Sequence, residues 1–283
     1  MRRDKGAALV DAVVAIMQRL YTCRVSEQKK MRLKLISCEV FARELSYSAA
    51  VSPHVVDIEF TEKAAHDRSA FLRDLIQSKI DAAEDGDVKY DAIILGFGLC
   101  GNSTAGVRTR RLPLVVPRAH DCCTLFLGSK EAFKEHFSEN PSTPFSSAGY
   151  LERGDGDDYL RESTMSDTLG LNRTYEEYVE MYGEENAEFI MATLNPPELE
   201  EKNNRVVFID VPQLSHLGYA EQCRKLAEAE GKEFVLIRGD IRLFLKLTAG
   251  EWDDEDFLVL EPGEPIEPCY DWDRIIRAGE RNG

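Results

Sequence analysis

Strand-like and helix-like segments alternate along this sequence. The alternation predicts an α/β fold: an open, mostly parallel, Rossmann-like sheet with helices on both faces. Three observations carry that prediction. Short apolar runs, YDAIILGFG (90–98) above all, have the unbroken hydrophobicity of strands buried on both sides. Segments between them, such as AFLRDLIQSKIDAAEDG (70–86), place apolar residues at the i, i+3, i+4 spacing of a helix packed on a sheet. Nothing repeats at a fixed period, and no linker divides the chain cleanly.

In order, RLKLISC (32–38) and HVVDIEF (54–60) read as the first two strands, and 70–86 as a helix with Gly86 as its C-cap. YDAIILGFG (90–98) and RLPLVVP (111–117) are the next strands, and CTLFLGSKEAFKEHF (123–137) returns to helical spacing. Residues 138–172 read as a long loop, the kind that serves as a functional lid or an insertion. A helix over 174–194, a strand over 205–211, a helix over 219–230, a strand over 233–240, a helix over 241–249 and a strand over 256–262 complete the pattern. Residues 31–283 form the single predicted domain. Residues 1–30 are an extension in which Leu9, Val13, Ile16, Met17 and Leu20 fall on one face of a helix, and Met31 is a second plausible start.

Of 283 residues, 35 are basic and 51 acidic, a net charge of −16. A nucleic-acid backbone would be repelled by that field, and no apolar run is long enough to span a membrane. Asp11, Gln18 and Arg19 interrupt the apolar stretch near the start, which argues against a signal peptide. Seven cysteines are too few for a disulfide scaffold at this length. The expected setting is the cytoplasm, with reduced thiols and a small-molecule substrate.

Ligands of open parallel sheets bind beyond the carboxyl ends of the strands. Cys38 follows the first strand, Cys100 the third, and Arg118, His120, Asp121, Cys122 and Cys123 the fourth. Cys38, Cys100 and Cys122 are therefore candidate metal ligands, with His120 or Cys123 as a fourth. Zinc is the favoured occupant, iron or an iron–sulfur cluster the alternative, because soft sulfur donors select those metals. GFGLCG (96–101) has the G-x-G-x-x-G spacing of a dinucleotide site, yet the residues after it are too few for a crossover helix before Pro113. Gly98, Gly101 and Asn102 are instead candidates for close backbone approach to a cofactor. His120, oriented by Asp121 or Asp210, is the candidate general base, with Cys122 or Cys100 as its nucleophile, and Arg118 is the candidate carboxylate or phosphate binder. The opposing readings are that buried cysteines act as small hydrophobes, and that Arg118 and Asp121 form an ordinary surface pair.

The segments LISCEVFARE (35–44), ILGFGLCGN (94–102), PRAHDCCTLFLGS (117–129) and GDIRLFLKLTAGEWDDEDFLVLEPG (239–263) occur in the order of an uncharacterised family that this chain resembles. It is a domain of unknown function in methanogenic archaea and anaerobic bacteria, whose genes often stand beside those of corrinoid-dependent methyltransferases. The shared pattern carries over to Cys38, Glu44, Cys100, Gly101, Asn102, Pro117, Arg118, Asp121 and Cys122. SSAGYLERGDGDD in the middle of the chain departs from it. The resemblance implies anaerobic one-carbon or methyl-group transfer with a corrinoid protein as partner. Three functions stay open: a zinc- or iron-dependent transferase, a non-catalytic metal or cofactor carrier for corrinoid enzymes, and a metal-free enzyme with a cysteine nucleophile.

Overall fold

The computed structural model describes residues 29–63, 65, 69–137, 143–154, 205–269, 271 and 273–281, with 175, 176, 179, 183, 184, 186 and 187. The helix expected in the first 30 residues and most of that expected over 174–194 lie outside the described residues. The chain divides into two units, Met1–Met31 and Arg32–Gly283, and the elements below belong to the second.

The fold is α/β, with a mostly parallel central sheet flanked by helices. Strand β1 (Arg32–Cys38) lies between β2 (Val55–Thr61) and β3 (Ala92–Gly96), and both neighbours are parallel to it. Strand β4 (Leu114–Pro117) extends the sheet parallel to β3. All residues of β3 and β4 are buried, which is why their sequences are apolar without alternation.

Helix α1 (Ala42–Val51) connects β1 to β2, and α2 (Ser69–Asp85) connects β2 to β3. Leu72, Ile76 and Ile80 recur at helical spacing on α2 and pack with Ile36, Ile93, Leu95 and Val116 of the sheet. Each such side chain gains roughly 2 kcal/mol by leaving water. Helix α3 (Cys122–Leu127) follows β4, and α4 (Lys130–Phe137) follows after a turn at Gly128.

Two findings differ from the sequence-based expectation. The run expected to be loop over 138–172 contains strand β5 (Phe145–Ser146) and helix α5 (Ala148–Arg153), elements too short to show a period; residues 138–142 and 155–172 lie outside the described residues. Strands β6 (Arg205–Asp210) and β7 (Glu233–Arg238) do not extend the central sheet. They form a second parallel sheet in the order β5-β6-β7. Helix α6 (Tyr219–Ala229) crosses between β6 and β7 and buries Cys223 and Ala227 against Val206 and Phe208.

Helix α7 (Arg242–Ala249) returns the chain to the central sheet, packing on α1 and reaching β3 and β4. Strand β8 (Phe257–Leu260) then adds to β4 antiparallel, pairing Phe257 with Pro117. The crossover rule that makes consecutive strands parallel acts within one sheet. Because β7 belongs to the other sheet, it sets no direction for β8. A hairpin of β9 (Ile266–Pro268) and β10 (Ile276–Ala278) closes the described chain. Among the described residues no helix is long and apolar enough to cross a membrane.

Candidate functional site

Because β1, β3 and β4 run parallel, their carboxyl ends share one edge of the sheet. The chain leaves β1 through Cys38 into a short 3-10 turn, Glu39–Phe41. Beyond β3 and β4 the two loops stay zipped together. Leu99 N donates to Ala119 O at 2.9 Å and Cys100 N donates to His120 O at 2.9 Å. Gly98 permits this approach, since a Cβ there would stand 2.8 Å from Asp121 N.

The backbone then turns through three consecutive left-handed residues, Cys100 (φ 45°), Gly101 (φ 62°) and Asn102 (φ 67°). For Cys100 that conformation costs about 1–2 kcal/mol, whereas asparagine, at Asn102, tolerates it better than most residues. The turn is held from outside. Ser103 Oγ donates to Cys100 O at 2.7 Å, Ser69 Oγ to Gly101 O at 3.0 Å, and Arg73 Nη2 to Asn102 O at 2.9 Å.

Cys38, Cys100 and Cys122 line one cavity of about 20 Å³, room for about one water molecule or ion. Tyr150 from α5 closes another side, and its hydroxyl lies 3.1 Å from Cys122 Sγ. Lys63 also lines the cavity, with its ammonium 5.5 Å from the centre of the Tyr150 ring. Thr61 Oγ1, at the end of β2, is buried on the same wall without a hydrogen-bond partner. A native protein rarely leaves such a hydroxyl unsatisfied. As placed, no three histidine, cysteine, aspartate or glutamate side chains among the described residues stand close enough to hold one metal ion.

The family described as Protein of unknown function (DUF1638) matches residues 60–248, more than half of the chain. The chain belongs to the DUF1638 family. No curated protein and no solved structure matches it. The DUF1638 match takes in Thr61, Lys63, Cys100, Cys122 and Tyr150; Cys38 precedes it.

The other residues singled out from the sequence stand elsewhere. Arg118 is buried and its guanidinium is occupied. Nε donates to Asp254 O at 2.9 Å, Nη1 to Arg274 O at 3.0 Å and Ile276 O at 2.5 Å, and Nη2 to Asp254 Oδ1 at 2.7 Å. It straps the C-terminal hairpin to β4 and keeps no edge for a substrate. Asp121 caps α3, accepting from Thr124 N at 3.2 Å. His120 packs on the Phe133 ring at 5.9 Å between centroids and does not line the cavity. Burial pulls its pKa below the ordinary histidine value, with Lys134 pulling the same way and Asp121 opposing.

Gly98, Gly101 and Asn102 shape the turn that carries Cys100 and are not among the cavity's lining residues. The residues after Gly101 continue as turn, so no helix follows the G-x-G-x-x-G run. Cys123 is buried beside Cys122 without lining the cavity. Cys223 is buried in the second sheet's core, and burial pushes its thiol up to about 12. Thr61, Glu62, Lys63 and Tyr150 are the polar cavity residues the sequence reading missed. Thr61 is the last residue of β2 and Glu62 and Lys63 come directly after it, a position at the strand's carboxyl end that could have marked them. Tyr150 sits on a six-residue helix with no sequence signal.

Proposed function

We propose that the protein is a metal-dependent group-transfer enzyme whose cavity takes one soft metal ion, zinc or iron, on Cys38, Cys100 and Cys122. One observation carries the reading: three cysteines from three different strand ends line a single cavity of ion size. The donor chemistry suits such an ion, and three protein ligands leave the open position of a catalytic site. Side-chain rotation would have to draw the sulfurs closer to a common centre than they stand. Thr61 supports an occupant, because its buried hydroxyl lacks a partner that a bound water or substrate oxygen would supply. When bound, such a metal lowers the pKa of the thiol or water it holds.

Methyl or one-carbon transfer, a small-molecule substrate, a corrinoid partner protein and an anaerobic, cytoplasmic setting join this reading through the family resemblance alone. A second reading, metal-free catalysis by a cysteine thiolate, is favoured by Lys63 lining the same cavity as the three cysteines, since a cation in a thiol's surroundings stabilises its ionised form.

The deciding experiment is elemental analysis with an optical spectrum on protein purified without oxygen, for the unaltered chain and Cys100→Ser. The metal reading expects about one zinc or iron per chain, lost in the variant. Metal-free protein in both, even after incubation with zinc or iron, would overturn it. Selective alkylation of one cavity thiol would then establish the nucleophile.

A further inference from the structure

A second cleft lies between α2 and the loop that joins β3 to β4. Its volume is about 380 Å³, within the range of small-molecule sites, and Arg73, Asp74, Gln77, Asp81, Arg108 and Arg110 line it. Three arginines on one cleft run against a chain whose net charge is −16.

Two of these arginines are held in place with their charge uncommitted. Gln77 grips the backbone of Arg108 from both sides: its Oε1 accepts from Arg108 N at 3.1 Å, and its Nε2 donates to Arg108 O at 2.9 Å. Just beyond, Glu84 accepts the backbone amides of Arg110, Arg111 and Leu112, so the loop is pinned to α2. Arg108 is exposed, and among the described residues its guanidinium forms no ion pair. Arg73 spends Nη2 on Asn102 O, and its Nε is buried with no partner. By contrast, Arg110 is taken up by Asp81, Glu84 and Asp85.

We infer that this cleft binds the phosphate group of a small phosphate monoester. An uncommitted guanidinium and a buried, unsatisfied N–H donor in one cleft call for an anionic acceptor. Arg73 comes from the helix wall and Arg108 from the loop wall. A tetrahedral phosphate presents oxygens to both walls, whereas a planar carboxylate offers only two oxygens in one plane. The cleft exceeds a lone phosphate in size, so the group arrives on an organic part. Asp74, a carboxylate on the same cleft, suits a hydroxyl on that part. The site is separate from the cysteine cavity and does not depend on the metal reading.

Calorimetric titration of the full chain with glycerol 3-phosphate, at constant ionic strength, tests the inference. The expected result is saturable binding at one site, weakened at least about tenfold by Arg108→Gln and by Arg73→Gln. Asp74→Asn should tighten binding of inorganic phosphate. Arg108 is exposed, so its variant serves as the one least exposed to a folding defect. No saturable heat, heats reproduced by sodium chloride, binding undiminished in Arg108→Gln, or tighter binding of succinate than of glycerol 3-phosphate would each overturn the assignment.

Discussion

Glu44, in the first turn of α1, is 1% exposed, and neither carboxyl oxygen has a hydrogen-bond partner. Burial pushes its pKa up to about 7; the charge of Glu152 adds to the rise, and its own backbone amide and Arg43 oppose it. The folded pKa lies above the unfolded one, so the folded chain holds a proton that the unfolded chain releases. Stability from this group is fully present below about pH 4.5 and is lost as pH rises through about 7. Unfolding by urea should show the native protein losing about 3 kcal/mol relative to Glu44→Gln between pH 4.5 and pH 8. Parallel curves would show that Glu44 is solvated.

Arg118 makes the opposite kind of prediction, because its role is mechanical. Asp254, its charged partner, is almost fully exposed, so most of the loss on truncation comes from three backbone carbonyls. Arg118→Ala should cost about 3 kcal/mol in chemical denaturation. Little change in the denaturation midpoint would return Arg118 to the list of substrate binders. Cys223, kept protonated by burial, should resist iodoacetamide at pH 8 in the native state, as peptide mapping would reveal.

At the scale of elements, the position of Tyr150 depends on a helix pressed against a turn. A Cβ on Gly149 would stand 1.7 Å from Val40 O, so α5 meets the 3-10 turn Glu39–Phe41 backbone to backbone. Glycine is required by that approach and not by its φ angle. Gly149→Ala should cost about 3 kcal/mol by forcing the two apart. It should also speed alkylation of Cys122 as the tyrosine hydroxyl withdraws from its sulfur. An unchanged rate would mean that the cavity is formed without α5. This element was illegible in the sequence: six residues offer fewer than two helical turns of pattern, and no apolar period marks AGYLER. Helix α2, by contrast, repeats its apolar residues over four turns, and its course was readable directly.

For the whole molecule, the two sheets differ in depth. Every residue of β3 is buried, whereas β7 forms the edge of the smaller sheet and leaves Leu236 52% exposed. Hydrogen exchange followed by mass spectrometry should therefore find the slowest amides in β1, β3 and β4, with β7 exchanging through smaller openings at least about tenfold faster. Equal protection across both sheets would indicate a single cooperative unit.

Local hydrophobic patterning determined the α/β class, most of the strands and the helices α2 and α6, because a strand buried on both faces is apolar throughout and a helix packed on a sheet repeats its apolar face every 3.6 residues. It also determined that Cys38, Cys100 and Cys122 follow strand ends, and parallel strands bring such ends to one edge. Only the tertiary structure decided which side chains at that edge turn inward. Arg118 and Asp121 stand in the loop that leads into Cys122, yet one straps a hairpin and the other caps a helix. Tyr150, far along the chain, reaches the sulfur instead. The division into two sheets was likewise invisible, since a strand's pattern records that it is buried but not which partner buries it.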